Sequence, residues 1–362
     1  MKQKLEGLEF IRAAACLGVL LYHIRVTHTG YFAVAVFFAL SGFLMTYNAL
    51  GREEIEPPSL KGSLAFSLRR TGKLYKLYLL TLIFPLLEQL YGLVTGLGTL
   101  DGPLLMRITA NVFLLQSLVP DINTAFFMNG VAWYMSTSIF LYIAFPYILH
   151  RLRNRSRGQA WRVITVTFLL QSVGGLCIHE LAMKLFPAET LERLGFTQWL
   201  AYISPFSRIA DFIIACNLAY LFRNRKKTER SAAVATVLEC AAILAAAASE
   251  LVFENKMLPL YLCFSSLYIP AASLLIWEFA RGEGYVSRAM NNPAVHFISD
   301  LSPYLFLIHP VVIMLASIVI GRLPVSFAVQ RAVYVTAIPI AAVLCSMAYR
   351  EIEKKIKSKK TA

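Results

Sequence analysis

Three side chains near the start of the chain are the first candidates for chemistry: Glu9, Arg12 and His23. On a helix turning about 100° per residue they project within about 60° of one another. Arg12 and His23 then stand about 16 Å apart along the axis. Imidazole is the side chain whose ordinary pKa lies nearest neutrality, so a neutral His23 can accept a proton from an alcohol. Arg12 can orient an anion or stabilise negative charge growing on a carbonyl oxygen. A lone histidine on an apolar helix also serves as a packing residue, and His23 gains weight from its neighbours.

Further candidates follow along the chain. In SLRRTGKLYKLYLL, Arg69, Lys73 and Lys76 recur at helical spacing with Arg70 alongside. Such a cluster can bind the phosphates of a nucleotide, and it can equally anchor a helix against anionic lipid. Arg208 and Asp211 in SRIADF share one side of a helix and can pair, in a structural or a functional role. His309 precedes Pro310 in LFLIHP, which suits a partner at a helix kink rather than a catalyst. Ser41 and Ser136 are hydroxyls within apolar stretches. The six cysteines stand singly, without metal-ligand or disulfide spacing, so no metal site is expected.

The elements that must position these groups are apolar. Of 362 residues 57% are hydrophobic and only 15% charged, with a mean hydropathy of +0.60, against about 45–50% apolar and about 25% charged in an ordinary soluble domain. Runs such as Val131 to Leu149, Val163 to Leu181 and Ser231 to Ser249 approach or reach the roughly 20 residues that cross about 30 Å of hydrocarbon. The net charge of +14 would suggest nucleic acid if the cations formed one patch. They fall instead between apolar runs, at Arg52 to Lys76, Arg151 to Arg162, Arg223 to Arg230 and Lys354 to Lys360, as cytoplasmic loops do.

The expected fold is therefore all-α: a polytopic membrane bundle of about ten transmembrane helices with both termini cytoplasmic. The spans run about Leu5 to Val26, Tyr31 to Leu50, Leu77 to Leu97, Val131 to His150, Val163 to Leu181, Trp199 to Phe222, Ser231 to Ser249, Met257 to Phe279, Pro303 to Ile320 and Phe327 to Tyr349. Pro103 to Leu118 is expected to be re-entrant or to lie on the outer face. Residues 1–350 form one membrane domain and 351–362 a basic cytoplasmic tail. The basic start followed by an apolar run reads as a retained first helix rather than a cleaved signal, because Glu6, Glu9 and Arg12 interrupt it.

GLEFIRAAACLGVLLYH followed by GYFAVAVFFALSGFLMTY resembles the opening of the transmembrane acyltransferase type 3 family, which includes O-antigen and exopolysaccharide O-acetylases. FSLRRTGKLYKLYLL, AWYMSTSIFLYIAFP, SRIADFIIACNLAYL and LSPYLFLIHP continue the likeness in the family's order, so it covers most of the chain. The resemblance implies His23 as the catalytic residue with Arg12 beside it, and Arg69 or Arg70 with Lys73 in handling acyl-CoA. Two positions depart from the pattern. Ser138 stands where many members have a glutamate, and Lys73 replaces an arginine, keeping the charge without the bidentate fork.

The function expected from residues and resemblance together is transfer of an acyl group, acetyl foremost, from cytoplasmic acyl-CoA to a hydroxyl of a cell-envelope or exported glycan or glycolipid. Acetyl-CoA is then a donor substrate rather than a permanent cofactor, the bilayer of the bacterial inner membrane is the setting, and nucleic acid is not a partner. After the last span only the basic tail is expected, without the esterase-like domain of some peptidoglycan O-acetylases, which makes peptidoglycan a less favoured acceptor. A multi-span glycan or lipid exporter without acyl transfer is the alternative, and an inactive relative retained as an assembly partner is a third reading. The acceptor, the acyl length and the oligomeric state are not specified by the sequence.

Overall fold

The computed structural model describes residues 5–51, 57–186, 190–226 and 228–361; Arg52 and Lys227, in two of the basic clusters, lie outside them. It is 82% helical, with no strand among the described residues. The chain begins with α1 (Gly7–His23), α2 (Gly30–Ala49) and α3 (Leu60–Val94), followed by the short α4 (Gly102–Val112), a 3₁₀ turn at Gln116–Leu118 and α5 (Ile122–Ala125). Next come α6 (Trp133–Arg153), α7 (Arg157–Leu185), α8 (Leu191–Gln198), a π turn at Trp199–Ile203 and α9 (Pro205–Arg223). Then α10 (Ala232–Glu254), α11 (Leu260–Leu262), a second π turn at Cys263–Leu267, α12 (Tyr268–Arg281), α13 (Tyr285–Met290), α14 (Pro293–Ile320) and α15 (Phe327–Thr361) complete it.

Seven helical stretches are long and apolar enough to cross a membrane: α2, α3, α7, α8 through α9, α10, α14 and α15. The three other expected spans fall on α1, which has 17 residues, on α6, whose first turns carry Ser136, Thr137 and Ser138, and on the α11–α12 stretch, which a π turn interrupts. The α4 helix has 11 residues, about 16 Å, and is too short to cross.

Two helices extend past their expected limits. Ser59 caps α3 by accepting from the Gly62 N–H, so helix begins well before Leu77 and carries Arg69, Arg70, Lys73 and Lys76 along its first half. At 35 residues it measures about 52 Å, longer than the hydrocarbon layer, and its basic end projects beyond it. Helix α15 likewise continues through the basic tail, where Lys354 pairs with Glu351 and Lys357 with Glu353 at helical spacing.

Helix α2 occupies the centre. It packs against α1, α9 and α12, while α14 lies against α1 and carries α15 on its outer side. A small residue permits close approach of α2 to α9: a Cβ at Gly42 would stand 2.9 Å from the Phe212 carbonyl oxygen. Leucines, valines and phenylalanines of α3, α7 and α10, among them Leu80, Phe84, Leu170, Val237 and Leu244, are exposed. An apolar belt of this extent suits lipid and not water. Helix ends rich in arginine gather on one face of the bundle, where Arg157 donates to Asn224 O and Arg281 to Thr228 O. The end of α1, the start of α2 and the α4–α5 segment gather on the opposite face.

Candidate active site

His23 is the last residue of α1. The helix stops there because Arg25 adopts a left-handed φ of 58°, and the N–H groups of Arg25 and Val26 return to the carbonyls of Tyr22 and Leu21 at 2.9 and 2.8 Å. Arg331, in the first turns of α15, then donates to the carbonyls of Ile24 and Arg25, both at 2.7 Å. The His23 Nδ1 lies 2.8 Å from Val19 O, one turn back in its own helix. His309 of α14 stands beside it, its Nε2 3.3 Å from the His23 Nδ1 and the ring centroids 5.0 Å apart.

Beyond the imidazole opens a cavity of about 380 Å³, bordered by Tyr22, His23, Tyr31, Trp133, Gln198, Tyr202, Phe306 and Pro310. Gly30 admits the Tyr22 ring, since a Cβ there would fall on the ring itself. Gln198 donates to the Tyr31 hydroxyl at 3.3 Å. The segment between α3 and α6 forms one wall through Phe126, Gly130 and Val131. Asn129 fastens that segment by donating to Thr81 Oγ1 at 2.8 Å and to Leu307 O at 3.0 Å.

A second cavity, about 480 Å³, lies on the arginine-rich side and is bordered by Arg12, Ser41, Asn48, Arg70, Tyr134, Tyr142 and Phe306, with apolar residues between them. Arg70 sits over the Tyr142 ring at 5.1 Å and the Phe66 ring at 5.9 Å, and the Tyr142 hydroxyl meets Ser41 Oγ at 3.0 Å. Arg12 pairs with Glu9 at 3.5 Å, and Glu9 also accepts from Ser299. The two cavities share Phe306. Its ring centroid is 5.5 Å from Tyr134 and 5.8 Å from Phe37, and those two rings are 6.1 Å apart, so Phe306 stands in the shared wall packed against two rings that border the arginine-rich cavity.

The sequence candidates are thus distributed unevenly. Arg12, Ser41 and Arg70 border one cavity, His23 the other, and His309 touches His23. Arg69 and Lys73 are exposed on the flank of α3 and border neither cavity. Arg208 and Asp211 form a fully buried pair at 2.6 Å, completed by Gln171 on Asp211 and by the carbonyls of Tyr202 and Phe264 on Arg208. That network ties the two π turns together behind the Tyr202 wall. Ser136 is buried against Ser117 and the Leu114 carbonyl, where it staples the α4–α5 segment to α6. Ser138, in the position of the absent glutamate, is buried one turn from Tyr134 on the same helix.

Sequence reasoning missed Arg331, Phe306, Tyr134 and Gln198. Arg331 carried a signal, because a charge in the first turns of an apolar helix demands a partner. Phe306, Tyr134 and Gln198 carried none beyond their residue types.

At low dielectric, a base on one side of a thin aromatic partition and two guanidiniums on the other can act on two substrates that meet at the partition. The sequence pattern of a family described as an acyltransferase domain matches residues 5–351. The chain is also similar to acyltransferase MdmB of Streptomyces mycarofaciens, at 27% identity over 222 residues that cover 57% of this chain and 50% of that protein. It spans about half the length of that relative. No solved structure matches it.

Proposed function

We propose that this chain, which belongs to the acyltransferase domain family matched over residues 5–351, moves an acyl group from acyl-CoA to a hydroxyl of an envelope or exported glycan across the Phe306 partition. The observation that carries this reading is the shared wall: Arg12 and Arg70 on one side, His23 on the other, Phe306 between. In this reading the chain crosses the bacterial inner membrane ten times with both termini in the cytoplasm. The arginine-rich face is cytoplasmic, as positive-inside bias favours.

Acyl-CoA, with acetyl as the favoured acyl group, then enters from the cytoplasm with its phosphates on Arg70 and its thioester toward Arg12. The acceptor hydroxyl occupies the other cavity. His23 takes the hydroxyl proton as the oxygen attacks the thioester carbonyl, the carbon–sulfur bond breaks, and the CoA thiolate leaves and is reprotonated. Arg12 faces the negative charge that gathers on the carbonyl oxygen. Base and charge-stabilising contributions of this kind each supply about 10²–10⁴-fold.

The decisive measurement is transfer from labelled acyl-CoA by purified protein in lipid. His23→Ala is expected to abolish transfer while leaving the helical content unchanged; undiminished transfer would remove His23 from the chemistry. Release of free CoA by the wild-type protein separates acyl transfer from export of an unmodified substrate.

A further inference from the structure

The His23 ring has two nitrogens, and only a bare Nε2 facing the cavity can serve as the base. A carbonyl oxygen accepts hydrogen bonds and never donates. His309 Nδ1 lies 3.0 Å from Leu305 O, so in the neutral ring that nitrogen carries the hydrogen and Nε2 carries the lone pair. That lone pair faces His23 Nδ1 at 3.3 Å. His23 Nδ1 is also 2.8 Å from Val19 O, again an acceptor only. Both neighbours of His23 Nδ1 therefore require a hydrogen on it. No partner engages His23 Nε2 among the described residues, and the ring borders the 380 Å³ cavity.

We propose that His309 is a positioning residue for the acyl transfer, fixing His23 as the Nδ1–H tautomer and receiving a hydrogen bond from the imidazolium that forms when Nε2 takes the acceptor's proton. This inference rests on the reading of His23 as the base. Val19 O alone would hold the tautomer but turns with the same helix. His309 comes from α14, 286 residues away in sequence, and sets the ring against a second element. Its own hydrogen bond to Leu305 O keeps the facing nitrogen an acceptor throughout. The pair thus follows the logic of a base oriented by a third group, with a neutral imidazole in place of a carboxylate.

The test compares His309→Gln, whose amide oxygen can accept from His23 Nδ1, with His309→Met, of similar volume without that acceptor. His309→Met is expected to lower kcat about 10²-fold with the KM for acyl-CoA within about twofold. His309→Gln is expected to recover at least about tenfold of that loss. Equal losses in the two variants, or a wild-type kcat in His309→Met, overturn the proposal. Independently of any variant at 309, solid-state NMR of ¹⁵N-histidine-labelled wild-type protein in vesicles, assigned by difference with His23→Ala, is expected to show the His23 hydrogen on Nδ1. A hydrogen on Nε2 overturns the proposal even if both variants misfold. Full transfer by His23→Ala would instead defeat the underlying reading, whatever the variants at 309 do.

Discussion

Arg331 and His23 belong to opposite ends of the chain, yet the guanidinium of one closes the helix that presents the other. Its two terminal nitrogens reach the carbonyls of Ile24 and Arg25, which the end of α1 leaves without helical donors. Charge-assisted bonds of this kind are worth about 1.5–3 kcal/mol each. Their orientation opposes the negative end of the helix dipole.

Replacing Arg331 by Gln is accordingly expected to cost about 1–3 kcal/mol of stability and to lower kcat about tenfold through a looser His23. Lys at 331 keeps the charge without spanning both carbonyls and is expected to fall between. Thermal denaturation in detergent and transfer assays on the same samples check this; a wild-type kcat in Arg331→Gln would show that the clamp does not hold the imidazole in register.

Arg70 and Arg69 are adjacent in sequence and differ in placement, since only Arg70 borders the cavity and stacks on Tyr142. Arg70→Ala is expected to raise the KM for acyl-CoA about ten- to hundredfold through loss of a phosphate contact. Arg69→Ala is expected to change it less than about threefold, because Arg69 borders neither cavity. Titration with acyl-CoA decides it, and equal effects at both positions would mean that the flank of α3 and not the cavity receives the donor.

Phe306 stands in both cavity walls. Truncation to Ala removes the ring that separates them and lets water and thioester meet without an acceptor. Free CoA release in the absence of acceptor is expected to rise several-fold while transfer per CoA released falls. Tight coupling in Phe306→Ala would place the barrier elsewhere.

The α4–α5 segment should respond to acid. Partial burial pushes the Asp121 carboxyl up, but the Thr124 hydroxyl, the N–H groups of Asn123 and Thr124 and the Arg107 guanidinium outweigh it and hold its pKa below the ordinary carboxylate value. A depressed folded pKa contributes stability that is present above the unfolded value and lost as pH falls through the folded one. Amide exchange of residues 102–125, corrected for its intrinsic pH dependence, is expected to stay slow near neutrality and to accelerate only in acid below the ordinary carboxylate range. Asp121→Asn should exchange faster already at neutral pH; identical protection would remove the carboxylate from the account.

Much of this was legible in the residues because hydrophobicity and charge act locally. The apolar stretches Tyr31 to Leu50, Ser231 to Ser249 and Phe327 to Tyr349 each fall in a helix able to cross a bilayer, and the family was legible in the first two helices. The limits of α3 and α15 were not, because Ser59 and the Glu–Lys pairs extend helix into water, where hydropathy gives no signal. Nor could spacing reveal that His309 meets His23, or that Arg69 turns away while Arg70 turns in. Those outcomes depend on how α14 and α6 pack against α1 and α3, and a kink next to Pro310 explained His309 equally well from its neighbours alone.

The chamber beside His23 is bordered by tyrosines, phenylalanines, a tryptophan, a glutamine and aliphatic groups, with no lysine, arginine, aspartate or glutamate on its wall among the described residues. An ionised guest there would shed its hydration with no counter-ion to replace it, a penalty of many kcal/mol. On the proposed function the wall would therefore sort acceptors by formal charge before any hydroxyl is recognised: an uncharged ring lodges whole, while a molecule bearing a carboxylate or phosphate keeps that group outside the mouth.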